Sequence, residues 1–172
     1  MQRINHLGFI LCAALCLMGF TEQSSTITLH SSASVQPYSE RRAQDGLPQS
    51  HDPMWDVLMK SKVKMDNASG DYSITVDPAV KKLVGKSLTI TGFMLPLEGT
   101  ETFHHLLLSR RTPVCPFCPP GEPNEIMDVH TTDAIPWDEN LVTMTGTLTL
   151  MNDPHLGLFY KLTGAKLLKN TK

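Results

Sequence analysis

Charge of one sign is missing from this chain. Fifteen Lys and Arg stand against 17 Asp and Glu in 172 residues, a net charge of −2, which excludes the basic footprint of a nucleic-acid binder. No apolar run reaches the roughly 20 residues that cross a bilayer as a helix. No Ser-His-Asp signature, phosphate-binding glycine loop or paired-carboxylate constellation is visible, so the expectation is a binding protein rather than an enzyme. The length excludes a large multidomain enzyme and suits one modest domain with extra segments. Cysteine is scarce as well: there are four, and two of them lie within the first 20 residues. What is present is 41% hydrophobic content, ordinary for a globular fold and too high for a wholly disordered chain.

The first residues read as an address. Arg3, with no acid nearby, precedes the apolar run Leu7–Phe20, and Thr21-Glu22-Gln23-Ser24 follows it. That layout is a secretory signal, here taken as 1–21, and it places the mature protein in the periplasm or outside the cell, with no stable membrane span once the signal is removed. Cys12 and Cys16 follow Leu11 and Leu15 rather than the small residues that precede a lipidated cysteine. From 22 to 50 the chain turns to Ser, Gln and Thr, with seven serines between Ser24 and Ser50, and reads as a disordered polar leader.

One domain is expected over 51–172. Asp52-Pro53 and Asp77-Pro78 each place an N-cap before a proline, and each opens a short helix; Gly85 ends the second. Tyr72–Val76 alternates like a strand. Lys86–Leu95 and Leu141–Leu150 set apolar side chains and a central glycine, Gly92 or Gly146, against threonines on the other face, as strands with one buried side do. Thr102–Ser109, Glu125–Thr131 and Leu158–Leu162, extended toward Leu168, complete five strands. Glycines at mid-strand suit the corners of a barrel. The fold class is therefore mainly β: a small OB-like antiparallel β-barrel of about five strands with one or two short helices, and a β-sandwich as the alternative.

After signal removal only Cys115 and Cys118 remain, in Thr112-Pro-Val-Cys-Pro-Phe-Cys-Pro-Pro-Gly121, where five of ten residues are proline or glycine. A C-x-x-C pair in a stiff loop supplies two thiolates to Zn²⁺ or, alternatively, Cu⁺, and a closed site needs further ligands. His104, His105 and His130 are the candidates, because they lie on the strands entering and leaving the loop. Alternation lets only one of His104 and His105 face the site, with Phe103, His105 and Leu107 on one face and His104, Leu106 and Leu108 on the other. A structural or redox-switching Cys115–Cys118 disulfide remains open beside the metal. Thiol catalysis comes third, because Pro119-Pro120-Gly121 gives the first thiol no helix N-terminus.

Other polar residues weigh less. Glu98 is a candidate to orient a histidine from outside the ligand set, or a solvated turn residue. Met94, Met127 and Met144 alternate as core residues do. His51 and His155 read as surface residues, and His30 falls in the leader.

The blocks Gly92-Phe-Met-Leu-Pro-Leu-Glu98, Leu106-Leu-Leu-Ser-Arg-Arg111, Cys115-Pro-Phe-Cys-Pro-Pro-Gly121 and Asn124-Glu-Ile126 together resemble an uncharacterised bacterial family of small exported proteins with a domain of unknown function, over roughly Trp55 to Leu168. The resemblance implies an envelope protein. Some members are encoded beside metal-responsive ABC-transport systems, which implies an ABC-transport or metal-handling envelope protein as partner. Some relatives look like lipoproteins; this chain departs from them in lacking a lipidation site. The expectation is a transition-metal-binding protein, zinc first, using Cys115, Cys118 and a histidine. The alternative is an envelope interaction module.

Overall fold

A computed structural model describes residues 38–115 and 118–171, with side chains defined from 42 to 168 within that range. The expected signal segment, Cys12, Cys16, His30 and the expected leader up to residue 37 lie outside the described residues. In chain order the elements are α1 (Tyr38–Asp45), α2 (Pro53–Leu58), β1 (Lys62–Met65), β2 (Tyr72–Thr75), α3 (Pro78–Lys81), β3 (Ser87–Pro96), β4 (Thr102–Ser109), β5 (Ile126–Pro136), β6 (Leu141–Asp153) and β7 (Leu158–Thr171). No helix among the described residues is long and apolar enough to cross a membrane.

The five strands expected from the sequence are β3 to β7, and they close into a barrel in the order β3-β4-β5-β7-β6 with β6 returning to β3. That connectivity is the one that makes an OB-like barrel. One feature departs from the expected all-antiparallel arrangement: β7 runs parallel to β5 while pairing antiparallel with β6. Strand directions cannot alternate all the way round a closed ring of five, so one neighbouring pair has to run parallel, and here it is β5 and β7. β1 and β2 form a separate antiparallel hairpin, of which only β2 was expected.

The two Thr-x-Thr-Gly segments face each other. Thr89 pairs with Thr145 and Thr91 with Thr143, and their hydroxyls bond across the ladder at 3.2 Å and 2.9 Å. The inward faces supply Leu88, Ile90, Val142, Met144 and Leu148 to a core shared with Leu106, Leu108, Met127, Val129 and Leu162. The glycines serve close approach. A Cβ on Gly92 would lie 2.7 Å from the Ser109 carbonyl oxygen, and one on Gly146 would lie 2.8 Å from Leu162 Cγ.

Both cap-and-proline helices form, and both are short. Asp52 Oδ1 accepts from the Met54 amide while Oδ2 accepts from the Thr91 amide, so one carboxylate starts α2 and pins it to β3. Trp55 then buries fully and donates from Nε1 to the Thr91 carbonyl, while Leu58 packs beneath it. Tyr160 Oη donates to the Leu58 carbonyl at 3.0 Å, tying the other end of α2 to β7. Asp77 caps α3, whose Val80 is fully buried, and Gly85 at φ +78° turns the chain into β3.

The described part of the leader departs from the disorder expected of it. Gln44, in α1, is fully buried and donates from Nε2 to the carbonyls of Thr112 (2.9 Å) and Pro120 (2.6 Å). Ser50 donates its amide to the Arg110 carbonyl, and Thr112 Oγ1 donates to the Pro48 carbonyl. Residues 44–50 therefore lie across the neck of the cysteine loop. Their polar composition reflects the partners they meet, which are backbone carbonyls rather than core.

Candidate functional site

Alternation along β5 sends Met127 and Val129 into the core, so Asp128 and His130 point to the barrel's outer face. His105 of β4 is the register partner of His130, and Lys161 of β7 is the register partner of Asp128. Three adjacent strands, β4, β5 and β7, thus converge on one outward spot.

Asp128 is the centre. It is 3% exposed, under His105, His130 and Lys161. Its Oδ1 accepts from His105 Nε2; its Oδ2 accepts from His130 Nε2 at 3.0 Å and from Lys161 Nζ at 3.2 Å. The two imidazoles stack with centroids 4.2 Å apart, and both remain partly open to solvent. Burial pushes the Asp128 carboxyl up, but the hydrogen bonds from His105 and Lys161, with the charges of both imidazoles, outweigh it and hold the group below the ordinary carboxylate range. One donor atom each from His105, Asp128 and His130 lie within 4.8 Å of one another, a set able to hold a metal ion.

The sequence candidates divide here. His105 and His130 come together. Cys115 and Cys118 do not join them: among the described residues, no group of three metal-ligating side chains includes either thiol. The ladder explains this. The loop opens at Ser109↔Ile126, and the histidine pair sits four residues further along. At about 3.3 Å per residue that is roughly 13 Å, before any height of the loop is added. Both cysteines are half-buried thiols, and the Cys118 amide reaches the Cys115 carbonyl at 3.5 Å.

His104 is also apart from the cluster. Its amide donates to Glu98 Oε2 and its ring Nδ1 lies 3.3 Å from the Thr131 carbonyl oxygen. His105 with Leu107 and Leu106 with Leu108 share faces as expected, but Phe103 and His104 leave theirs, because the ladder steps from Phe103↔Ile135 to His105↔His130, five residues of β5 against two of β4. That irregularity buries Phe103 completely while His105 stays outside. Glu98 consequently meets the His104 backbone rather than an imidazole in the cluster. Met94, Met127 and Met144 are core residues.

Two residues of the site went unread in the sequence, Asp128 and Lys161. The signal for Asp128 was available: it stands two before His130 in a strand, hence on the same face. Lys161 carried no local signal, because its neighbour across the parallel ladder is set by tertiary pairing.

The base of the cysteine loop is held by charge. Glu125, 2% exposed, accepts from Arg110 Nη1 at 2.8 Å and from Arg111 Nε at 2.9 Å, and Arg111 Nη1 reaches Asp45 at 2.8 Å. Burial lowers the Arg111 guanidinium, and the attraction of Glu125 and Asp45 more than reverses that, leaving it above its usual range. Beside the loop a cleft of about 350 Å³ is lined by Phe93, Met94, Val114, Cys115 and Trp137, with Trp137 58% exposed.

Fold and site together define a small OB-like barrel that presents a buried carboxylate between two imidazoles on its outer face. Residues 31–157 match a protein family described as a protein of unknown function (DUF3299), and the chain belongs to that family. A crystal structure of a DUF3299 family protein from Pseudomonas aeruginosa PAO1 is similar at 20% identity, covering 73% of this chain and 87% of that one with a TM-score of 0.46. No curated protein matches the chain.

Proposed function

We propose that this protein is exported to the cell envelope and there binds a divalent transition metal through His105, Asp128 and His130, zinc first and copper as the alternative, as an accessory to metal transport or supply. The observation that carries the reading is the convergence of three donor atoms within 4.8 Å around a buried carboxylate. Two imidazoles and one carboxylate are a donor set that zinc accepts at sites with an open position, with ligand atoms about 2 Å from the ion. The depressed Asp128 carboxyl favours the same outcome, since a ligand must be anionic to bind. The signal-like amino terminus supports export, and an ABC-transport or metal-handling envelope protein is the partner class this reading implies.

Calorimetric titration of metal-free protein with Zn²⁺ tests it. One ion per chain is expected, with binding lost in His105→Ala and Asp128→Ala and retained in the Cys115→Ser/Cys118→Ser double variant. Binding that survives both site variants, or that vanishes with the cysteines, overturns the assignment.

A second reading, an envelope interaction module with a Cys115–Cys118 disulfide, draws on the exposed Trp137 beside the cleft that Cys115 lines. Thiol titration of protein purified without reductant separates the two. No titratable thiol and no zinc uptake is the outcome that favours the module.

A further inference from the structure

One ammonium, that of Lys161, faces the Asp128 carboxylate beside the two imidazoles. The carboxylate is answered by the Lys161 ammonium at 3.2 Å, and the pairing is built into the fold, because the two residues are opposite each other in the parallel β5–β7 ladder. With neutral imidazoles the cluster carries no net charge. A divalent ion held by His105, Asp128 and His130 would take over the neutralisation of Asp128. Ion and ammonium would then leave a surplus of two positive charges at a spot only partly open to water, where Lys161 is 30% exposed and the carboxylate beneath it 4%. The group of donors contains no second carboxylate to offset that surplus. An uncompensated charge of this kind is costly, and an external anion removes the cost.

Geometry allows the anion to be shared. Three protein ligands leave a coordination position open at the ion. The Lys161 ammonium has three N–H donors on a flexible stem, of which Asp128 takes one, so the same ammonium can turn to a new acceptor once the ion holds the carboxylate.

We propose that the metal-loaded site takes a small oxyanion of the carboxylate or phosphate class as its external ligand, one oxygen on the ion and another on Lys161. The proposal rests on the metal reading above. The ligand is then an ion–oxyanion pair rather than a bare cation, and Lys161 changes from partner of Asp128 to selector of the anion.

The test uses the full chain loaded with Co²⁺ in place of Zn²⁺, whose visible absorption reports its ligands, titrated separately with acetate and with inorganic phosphate. A saturable spectral change is expected with at least one of them, and the anion that saturates at lower concentration identifies the class. Lys161→Met and Lys161→Gln should keep one Co²⁺ per chain and bind the anion roughly tenfold or more weakly. Lys161→Arg should retain it. A loaded wild-type site that ignores both anions overturns the proposal, as does unchanged anion affinity in the Met and Gln variants. Failure of wild-type protein to take up Co²⁺ overturns the metal reading itself, an outcome distinct from a loaded site that ignores anions.

Discussion

His105 and His130 stand opposite each other across the β4–β5 ladder with their rings stacked, the planes 25° from parallel. Stacking fixes both rings on the same side of the sheet, and both Nε2 atoms reach the one carboxylate of Asp128. Two side chains from different strands thus share a single buried anchor, and loss of either ring leaves the other without its neighbour.

Asp128 links the site to acid stability. Its carboxyl titrates lower in the folded chain than in the unfolded one, so its contribution is fully present above the ordinary value of 3.8 and is lost as pH falls through the folded-state value. Urea unfolding at neutral pH and at several values below 4 is the check. Wild type should lose stability more steeply over that acid range than Asp128→Asn, which is weaker at neutral pH but flatter below it.

Tyr160 gives the opposite sign at the alkaline end. Burial pushes its hydroxyl up to about 12, against 10.0 for the free group. The unfolded chain therefore releases this proton first, and the stabilisation is complete below pH 10 and disappears as pH rises toward 12. Tyr160→Phe should remove that part of the alkaline slope in the same unfolding experiment. It should also lower neutral stability by about 1 kcal/mol, because the Leu58 carbonyl loses one of its two donors and keeps only the Ser61 amide.

Gly92→Ala should destabilise by about 2 kcal/mol, since the new methyl would meet a backbone oxygen that cannot move aside as a side-chain tip would. Gly146→Ala should cost a comparable amount: Cγ of the fully buried Leu162 lies 2.8 Å from the new methyl, with Thr163 O and Ala165 Cα close behind. Denaturant midpoints at constant slope measure both.

Glu125→Ala leaves two half-buried guanidinium groups without their shared anion. A loss of about 3 kcal/mol is expected. The neck of the cysteine loop should open with it, read as faster proteolytic cleavage between residues 110 and 125 at denaturant-free conditions. Gln44→Ala should accelerate the same cleavage with a smaller change in global stability, because it removes only the two bonds to Thr112 and Pro120.

The barrel strands β3 and β6 were legible because each carries its own alternation: Leu88, Ile90 and Met94 against Ser87 and Thr89 needs no partner to be read. The parallel closure was not, since the slot β7 occupies depends on pairing far apart in the chain. At the site, proximity in sequence pointed to the right histidines for the wrong reason. Both flank the cysteine loop, but they meet each other several residues below its mouth, and the thiols stay with the loop. Asp128 was readable from its two-residue spacing to His130. The packed part of the leader was not, because Gln44 and Ser50 bind backbone carbonyls, and such contacts leave no hydrophobic pattern to find.

The position of β7 between β5 and β6 has a consequence for biosynthesis. While the ribosome is still making Leu158–Thr171, the four earlier barrel strands form at most an open sheet with two bare edges, and Asp128 has no ammonium beside it. Such edges invite pairing with other chains. Addition of β7 covers both edges, closes the ring and sets Lys161 against Asp128 in one event.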